Sequence, residues 1–497
     1  MAAQQQSGKV VTLKYEDLVN DVDLTDQIEK AYGYHGLGLL SVSGVPKFSE
    51  LRRRLLPLAR KFAKLPDSVK SSYEHKESFY AFGWSHGKEM LQGNVPDVSK
   101  GSYYNNPQHN NPFADSPELV EKWPTFCHEN IWPKEMPELE KAFMECGSLI
   151  CDVGALIARQ CDRYVAKRFP EYEKGKLHRM LTESRCTKAR LLHYFPVDQK
   201  TTAQQSAATA ATAAGQGGHE LRPELDLPEA AAQVEEEEKA DDTGMGAPAL
   251  DDTGMGMGMG MGMGMGPIDA DAVNVRKSMS RTGSVVDEDF GSWCGWHNDH
   301  GSLTGLCPGM LVDDSTGLEL SAERVAEFSA SDAAKLARAG LYIQTREGHI
   351  IHATVPKDHI AFQIGEAAQI HSAGVMQATP HSVRGAGISG ISRESFAVFM
   401  EPEFSEAMAG PKGADQKQVQ SHAAVVHLPA GVPPLSSRYG TKDCPFTTCN
   451  FGDFSHITYG AYLAPEQPQQ AGEETVKSQP GQEQSNDAAS SAAEASC

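Results

Sequence analysis

The sequence predicts a mainly β fold with flanking helices, of the sandwich or barrel type, behind a helical N-terminal region. Two observations carry this. Three short β-type runs, 340–345, 359–364 and 395–400, are separated by glycine and proline rather than by regularly alternating helices, which argues against βαβ units. Ahead of them, two stretches repeat apolar residues at intervals of three and four, the period of a helix that buries one face.

Taken in order, the run Gly36 to Pro46 reads as a short strand closed by glycine and proline. Ser49 then opens a helix with Leu51, Leu55, Leu58 and Phe62 on one side and arginines on the other. Leu139 to Ala158 has the pattern and length of a helix buried under a sheet. Residues 1–200 therefore read as the helical N-terminal region plus the first core strands. At about 201 the composition breaks. Ala/Thr/Gln repeats lead to Glu235–Glu238, and Asp-Asp-Thr-Gly-Met-Gly occurs at 241–246 and again at 251–256, running on as Met-Gly to Gly266. Residues 201–289 read as a disordered acidic, Met-Gly low-complexity insertion. Order returns at Phe290, and 290–464 reads as the β core, with 313–339 as an acidic helical insert. The Gln/Glu/Ser/Ala-rich 465–497 reads as a disordered tail.

Charge excludes some functions. A chain of 497 residues suggests two or three units at ~150 residues each, or fewer with large insertions. The net charge is −21, of which the insertion (residues 201–290) carries −12 and the tail −5, so the remaining chain carries only −4. No basic surface is available for a nucleic-acid partner. No apolar run reaches the ~18–20 residues of a membrane span, and the start has no basic region followed by an apolar stretch. The expectation is a cytoplasmic protein without nucleic-acid or membrane partners, whose insertion can recruit protein partners. The ten cysteines include no CxxC pair, Cys444 and Cys449 having four residues between them, and read as reduced, mostly structural thiols.

The chemistry lies in Trp293-Cys-Gly-Trp-His297-Asn-Asp299-His-Gly. Residues two apart on an extended chain point to one side, so His297 and Asp299 can converge while Asn298 turns away. His381, in Ala378-Thr-Pro-His381, offers a third ligand, and His371 is its rival. Two imidazoles and a carboxylate leave three positions open on an octahedral ion, the arrangement that suits Fe(II). Twelve residues after His381 comes Arg393-Glu-Ser395, again a pair at i and i+2. A guanidinium pointing into a β core is costly unless it meets an anion, and its fork matches a carboxylate.

His297-x-Asp299, a distal His381 and Arg393-x-Ser395, in that order, resemble the Fe(II)/2-oxoglutarate-dependent oxygenases of the isopenicillin N synthase-like class. Gly340 to Gly348, Phe362 to Glu366, and the N-terminal Gly36–Pro46 with Phe62 to Lys70 agree with it. The resemblance covers roughly 10–200 and 288–405. It implies a double-stranded β-helix (jelly roll) core, with iron held by His297, Asp299 and His381. It further implies 2-oxoglutarate held at its far carboxylate by Arg393 and Ser395; the contact that the family's second Tyr makes is here lost or passed to Tyr194 or His193. The reaction would consume O2, release succinate and CO2, draw on ascorbate as reductant, and oxidise, typically hydroxylate, a small organic substrate.

The chain also departs from the pattern. Eighty-one residues separate Asp299 from His381. In Leu191-Leu-His193-Tyr194-Phe195-Pro196, His193 and Phe195 stand where the family has Asn and its second Tyr, and phenylalanine donates no hydrogen bond. An iron oxidase that does not use 2-oxoglutarate, a zinc hydrolase and a non-catalytic scaffold are the alternatives. His300 reads as structural. His86, Tyr103 and Tyr104 sit where the family shapes its substrate mouth, with aromatic core as the plainer reading.

Overall fold

The computed structural model describes residues 10–91, 95–196, 292–417, 419–420, 428–429 and 431–463. The insertion expected at 201–289 and the tail expected at 465–497 lie outside the described residues. Among the described residues fifteen strands run in order: β1 (Val11–Lys14), β2 (Leu39–Ser43), β3 (Gly83–His86), β4 (Met90–Leu91), β5 (Val95–Pro96), β6 (Lys100–Asn105), β7 (Lys188–Tyr194), β8 (Ser292–His297), β9 (Leu303–Asp313), β10 (Leu318–Glu319), β11 (Gly340–Gln344), β12 (Ile350–Ala353), β13 (Ile360–Ile364), β14 (His381–Arg384) and β15 (Ile391–Met400). The larger sheet has the order β1-β2-β13-β9-β15-β7-β6-β3, with β10 added to β9. A smaller sheet has the order β12-β11-β14-β8, and β4 pairs with β5 alone. Apart from the parallel pair β1–β2, the named strands pair antiparallel. The expected mainly β architecture with flanking helices is what the chain adopts.

Alternation along each strand sorts the side chains into two environments. On β7 and β15, Leu191, Phe396, Val398 and Met400 join Phe143, Ile150 and Ile157 of the helix Glu138–Arg168 and Leu55 and Phe62 of the helix Phe48–Ala63 in the main core. The opposite face meets the smaller sheet through Leu192, Tyr194 and Ile391 against Trp293, and through Leu39 and Ala361 against Ile343 and Ala353. A narrow interior therefore lies between the sheets, and it receives His297, His381 and Arg393. Near the end of β15, Phe404, Phe451 and Phe454 gather with Phe113 and Phe126 into a separate cluster that anchors the C-terminal helix Phe451–Leu463.

Three expectations are corrected. The long helix continues ten residues beyond Ala158, because its polar residues there find partners: Gln160 accepts from the Leu24 amide (3.1 Å) and Asp162 accepts from Tyr172 and from the Leu177 and His178 amides. The 313–339 insert divides into strand β10 and two short helices, Ala322–Ala326 and Ala330–Arg338, each capped by a serine side chain. Cys444 and Cys449 are not separate thiols but a disulfide, their Cα atoms 4.7 Å apart; seven other cysteines among the described residues are free.

The helix Glu138–Arg168 lies so close to β9 that Gly305 has no room for a side chain. A Cβ there would overlap Ile150 and crowd Phe362. Gly305→Ala is expected to lower the free energy of unfolding by about 1–3 kcal/mol, as overpacking does, read as a lower urea midpoint with an unchanged slope.

Candidate metal centre

Strand β8 ends at His297, and β14 begins at His381, which is its register partner across the ladder. Their rings stand 4.3 Å apart. Asp299 lies just past the end of β8, where the chain turns back over the two histidines. Its Oδ1 is 3.8 Å from His297 Nε2 and 3.7 Å from His381 Nε2, and one ligand atom from each of the three falls within 4.8 Å of the others. Each Nδ1 donates to a backbone carbonyl, His297 to Gly295 (2.8 Å) and His381 to Thr379 (3.2 Å). Those bonds turn each ring so that Nε2 faces Asp299, which is how imidazoles are held for a metal. Among the described residues no other set of three or more His, Cys, Asp or Glu side chains converges this way.

The turn that presents Asp299 is braced from behind. The Glu366 amide donates to the Asp299 carbonyl (2.8 Å), and the Glu366 carboxylate accepts from Asn298 Nδ2 (3.1 Å). Glu366 is itself gripped at both oxygens by Arg438, at 2.7 Å each, and Arg438 also donates to Thr458 of the C-terminal helix. Tyr462 of that helix accepts from the Asn298 amide (2.9 Å). Sequence reasoning did not find Glu366, Arg438 or Tyr462. The Phe362-Gln-Ile-Gly-Glu366 motif contained the first of them, but nothing local identifies its partner.

Arg393 and Ser395 project into the interior from β15, with Arg393 paired to Tyr194 on β7 and Ser395 to Leu192. The guanidinium lies over the Tyr194 ring at 5.1 Å, and Tyr194 in turn packs on Trp293 of β8 at 5.4 Å. Arg393 Nη1 is buried without a hydrogen-bond partner among the described residues. A half-buried guanidinium with one buried, unpartnered N–H group is suited to meet an anion. Further along β6 and β7 the interior wall turns polar. Glu89 accepts from Tyr104 (3.1 Å) and pairs with Arg190 and, at 3.1 Å, with Lys100, which also pairs with Asp97. Burial would raise the Glu89 carboxyl, but the Arg190 and Lys100 charges outweigh it and hold it down at about 2.

The remaining candidates separate. His371, the rival ligand, is buried in its own short helix and donates to the Ala407 carbonyl (3.0 Å), away from the other three. His300 bonds Ser455 (3.1 Å) and stacks on Phe451, so it acts structurally, as expected. Tyr103 and Tyr104 part company. Tyr104 faces the interior, whereas Tyr103 packs on Phe62 in the main core and donates to the Ile131 carbonyl (2.9 Å). His86 bonds the Val98 carbonyl at 3.3 Å and packs on Phe195. His193 and Phe195 share the outer face of the larger sheet, so neither faces the Arg393 guanidinium; the β7 residue on that side is Tyr194.

Residues 10–135 match the family model described as the N-terminal region of non-haem dioxygenases in morphine synthesis. That match bears out, for the N-terminal region, the resemblance read from the motifs. No curated protein matches the chain in sequence. Among solved structures, it is similar to a full-length Neurospora crassa protein in complex with alpha-KG and 5-formyluracil, at 14% identity and a TM-score of 0.48 over 93% of this chain and 99% of that one. It is similar to a 2OG-Fe(II) oxygenase family protein from Caulobacter crescentus at 13% identity and 0.48, over 91% and 98%. For the Arabidopsis thaliana dioxygenase for auxin oxidation 1 the values are 12% and 0.41, over 82% and 99%.

Two stability effects follow from buried charges around the site. Arg438→Met leaves Glu366 buried and unpaired and is expected to cost about 3–5 kcal/mol in chemical denaturation. Glu401, at the end of β15, is raised by burial from 4.5 to about 7, with Lys188 opposing. Folding therefore takes up a proton between these values, and this group's contribution to stability falls as pH rises from about 4.5 to 7. The stability difference between wild type and Glu401→Gln should drop across that window by at most about 1.4 kcal/mol per pH unit and be flat above it.

Proposed function

We propose that this protein is an Fe(II)- and 2-oxoglutarate-dependent oxygenase, with its two sheets forming a double-stranded β-helix. The convergence of His297 Nε2, Asp299 Oδ1 and His381 Nε2 carries this reading. Two imidazoles with Nε2 turned toward one carboxylate fit Fe(II), which prefers such a facial set with open positions. Bound there, the metal would supply the O2 chemistry that couples decarboxylation of 2-oxoglutarate to succinate with oxidation, typically hydroxylation, of an organic substrate.

The chain's own residues bind and orient. Arg393, with the unpartnered Nη1, is placed to take the far carboxylate of 2-oxoglutarate as a fork, and the Ser395 hydroxyl lies on the same face of β15 to add a bond. Tyr194 fixes the guanidinium plane by stacking. The wall of Glu89, Tyr104 and Arg190 offers a substrate both acceptors and donors, which suits a small polar molecule. Among the described residues no helix is long and apolar enough to cross a membrane.

Anaerobic protein loaded with Fe(II) and then 2-oxoglutarate is expected to develop the visible charge-transfer band of a chelated keto acid. His381→Ala should abolish the band. Arg393→Ala should keep it but need roughly 10–100-fold more 2-oxoglutarate, the loss of about 1.5–3 kcal/mol from a charged hydrogen-bonded pair. Iron binding without a band would refute the co-substrate, and absence of iron binding would refute the enzyme reading altogether.

A further inference from the structure

Behind Arg393, on the outer face of the larger sheet, lie charged groups that this chemistry does not use. Arg52, on the helix Phe48–Ala63, is 2% exposed. Its Nε donates to the Pro308 carbonyl (2.9 Å) and its Nη2 to the Gly309 carbonyl (3.1 Å), with Glu319 at 3.6 Å. Pro308 and Gly309 form a bulge. The ladder between β9 and β15 pairs Met310 with Glu394 and then Cys307 with Phe396, so these two residues stand opposite the single Ser395. Proline, which has no N–H to give to a ladder, is tolerated at that place because the bulge leaves it without a register partner. Glycine leaves room for the neighbour across the ladder, because a Cβ at Gly309 would overlap the Arg393 guanidinium and force that side chain to shift. The slot that Arg393 occupies is therefore made by the bulge, and the carbonyls of the bulge are held by Arg52.

The other strand beside Arg393 is held by a second buried device. His193 and Glu394 are register partners, one residue before Tyr194 and one after Arg393, and so point to the opposite face. Both are fully buried. His193 Nδ1 meets the two carboxylate oxygens at 2.9 and 3.0 Å, and Ser392 donates to the same carboxylate at 3.3 Å. Burying such groups is rarely the most stable solution, since apolar side chains of like volume fill the same space at less desolvation cost; fixing register is the best-attested reason to keep them.

We infer that Arg52 and the His193–Glu394 pair are positioning residues for Arg393. Arg52 shapes the bulge that receives the guanidinium, and His193–Glu394 locks β7 to β15 so that Arg393 stays paired with Tyr194. The inference rests on Arg393 being the carboxylate receptor proposed above. It makes co-substrate selectivity a property of the outer face of the sheet.

The test is an anaerobic titration of the full chain, loaded with Fe(II), with 2-oxoglutarate and in parallel with 2-oxovalerate, which keeps the keto acid but lacks the far carboxylate. Arg52→Met and Gly309→Ala should each weaken 2-oxoglutarate at least about tenfold while changing 2-oxovalerate by less than about twofold. Arg52→Lys, which restores one donor, should recover part of the loss, and His193→Ala should follow Arg52→Met. Equal losses for both keto acids, or wild-type affinity in Arg52→Met, would overturn the inference by leaving these groups a purely structural role. Should Arg52→Met fail to fold, Gly309→Ala and Arg52→Lys decide the question. A wild-type protein that binds the two keto acids equally would instead remove the co-substrate reading, and the inference with it.

Discussion

Glu366 and Arg438 meet inside the protein, at both carboxylate oxygens, and the candidate metal centre depends on that meeting. A paired charge at this depth needs hydrogen-bond partners, and the surrounding groups supply all but one: Asn298, Thr458 and the Pro433 carbonyl each bond to one member or the other, while Arg438 Nε has no partner among the described residues. Through Asn298 and the Asp299 carbonyl the pair reaches the turn that presents the carboxylate. Through Thr458 it reaches the C-terminal helix, whose Tyr462 returns to the Asn298 amide. A short polar turn after a strand end would otherwise be free to swing Asp299 away from the histidines. Here its position is over-determined by two separate segments.

The histidines need less help, because strand pairing sets them. His297 and His381 are neighbours across one antiparallel ladder, so their separation is a property of the smaller sheet. The two imidazoles could both charge in acid only against mutual repulsion. Burial and the neighbouring His297 together push His381 down to about 4, while at His297 burial is outweighed by Cys294 and Asp299, which raise it to about 9, so the pair carries one proton charge rather than two at neutral pH.

The larger sheet applies the same alternation to opposite ends. On β15, Arg393 and Ser395 face the interior while Glu394 and Phe396 face the helices. One strand thus carries a receptor on one side and its support on the other. The interior wall is nearly charge-balanced within itself, with Glu89 and Asp97 against Lys100 and Arg190, and this leaves the Arg393 guanidinium as the cation whose buried Nη1 lacks a partner among the described residues.

What the chain revealed by itself was whatever depends on neighbours in sequence. The i, i+2 geometry of His297 with Asp299 and of Arg393 with Ser395, the strand at β15 and the amphipathic helix Phe48–Ala63 follow from local periodicity, and the structure reproduces them. Tertiary contacts decided the rest. The extra turns after Ala158 exist because Gln160 and Asp162 are satisfied by residues from other elements, which no periodicity encodes. Arg438 has nothing in its local sequence to mark it, yet it is fully buried in the fold, 72 positions from its partner. Tyr103 and Tyr104 are indistinguishable neighbours until the pleat sends one into the core and the other toward Glu89. Phe195 drew notice as a missing donor, yet the sheet turns it outward and brings Tyr194 beneath Arg393 instead. Local pattern fixes which side a residue faces relative to its neighbours; only the packed fold decides what waits on that side.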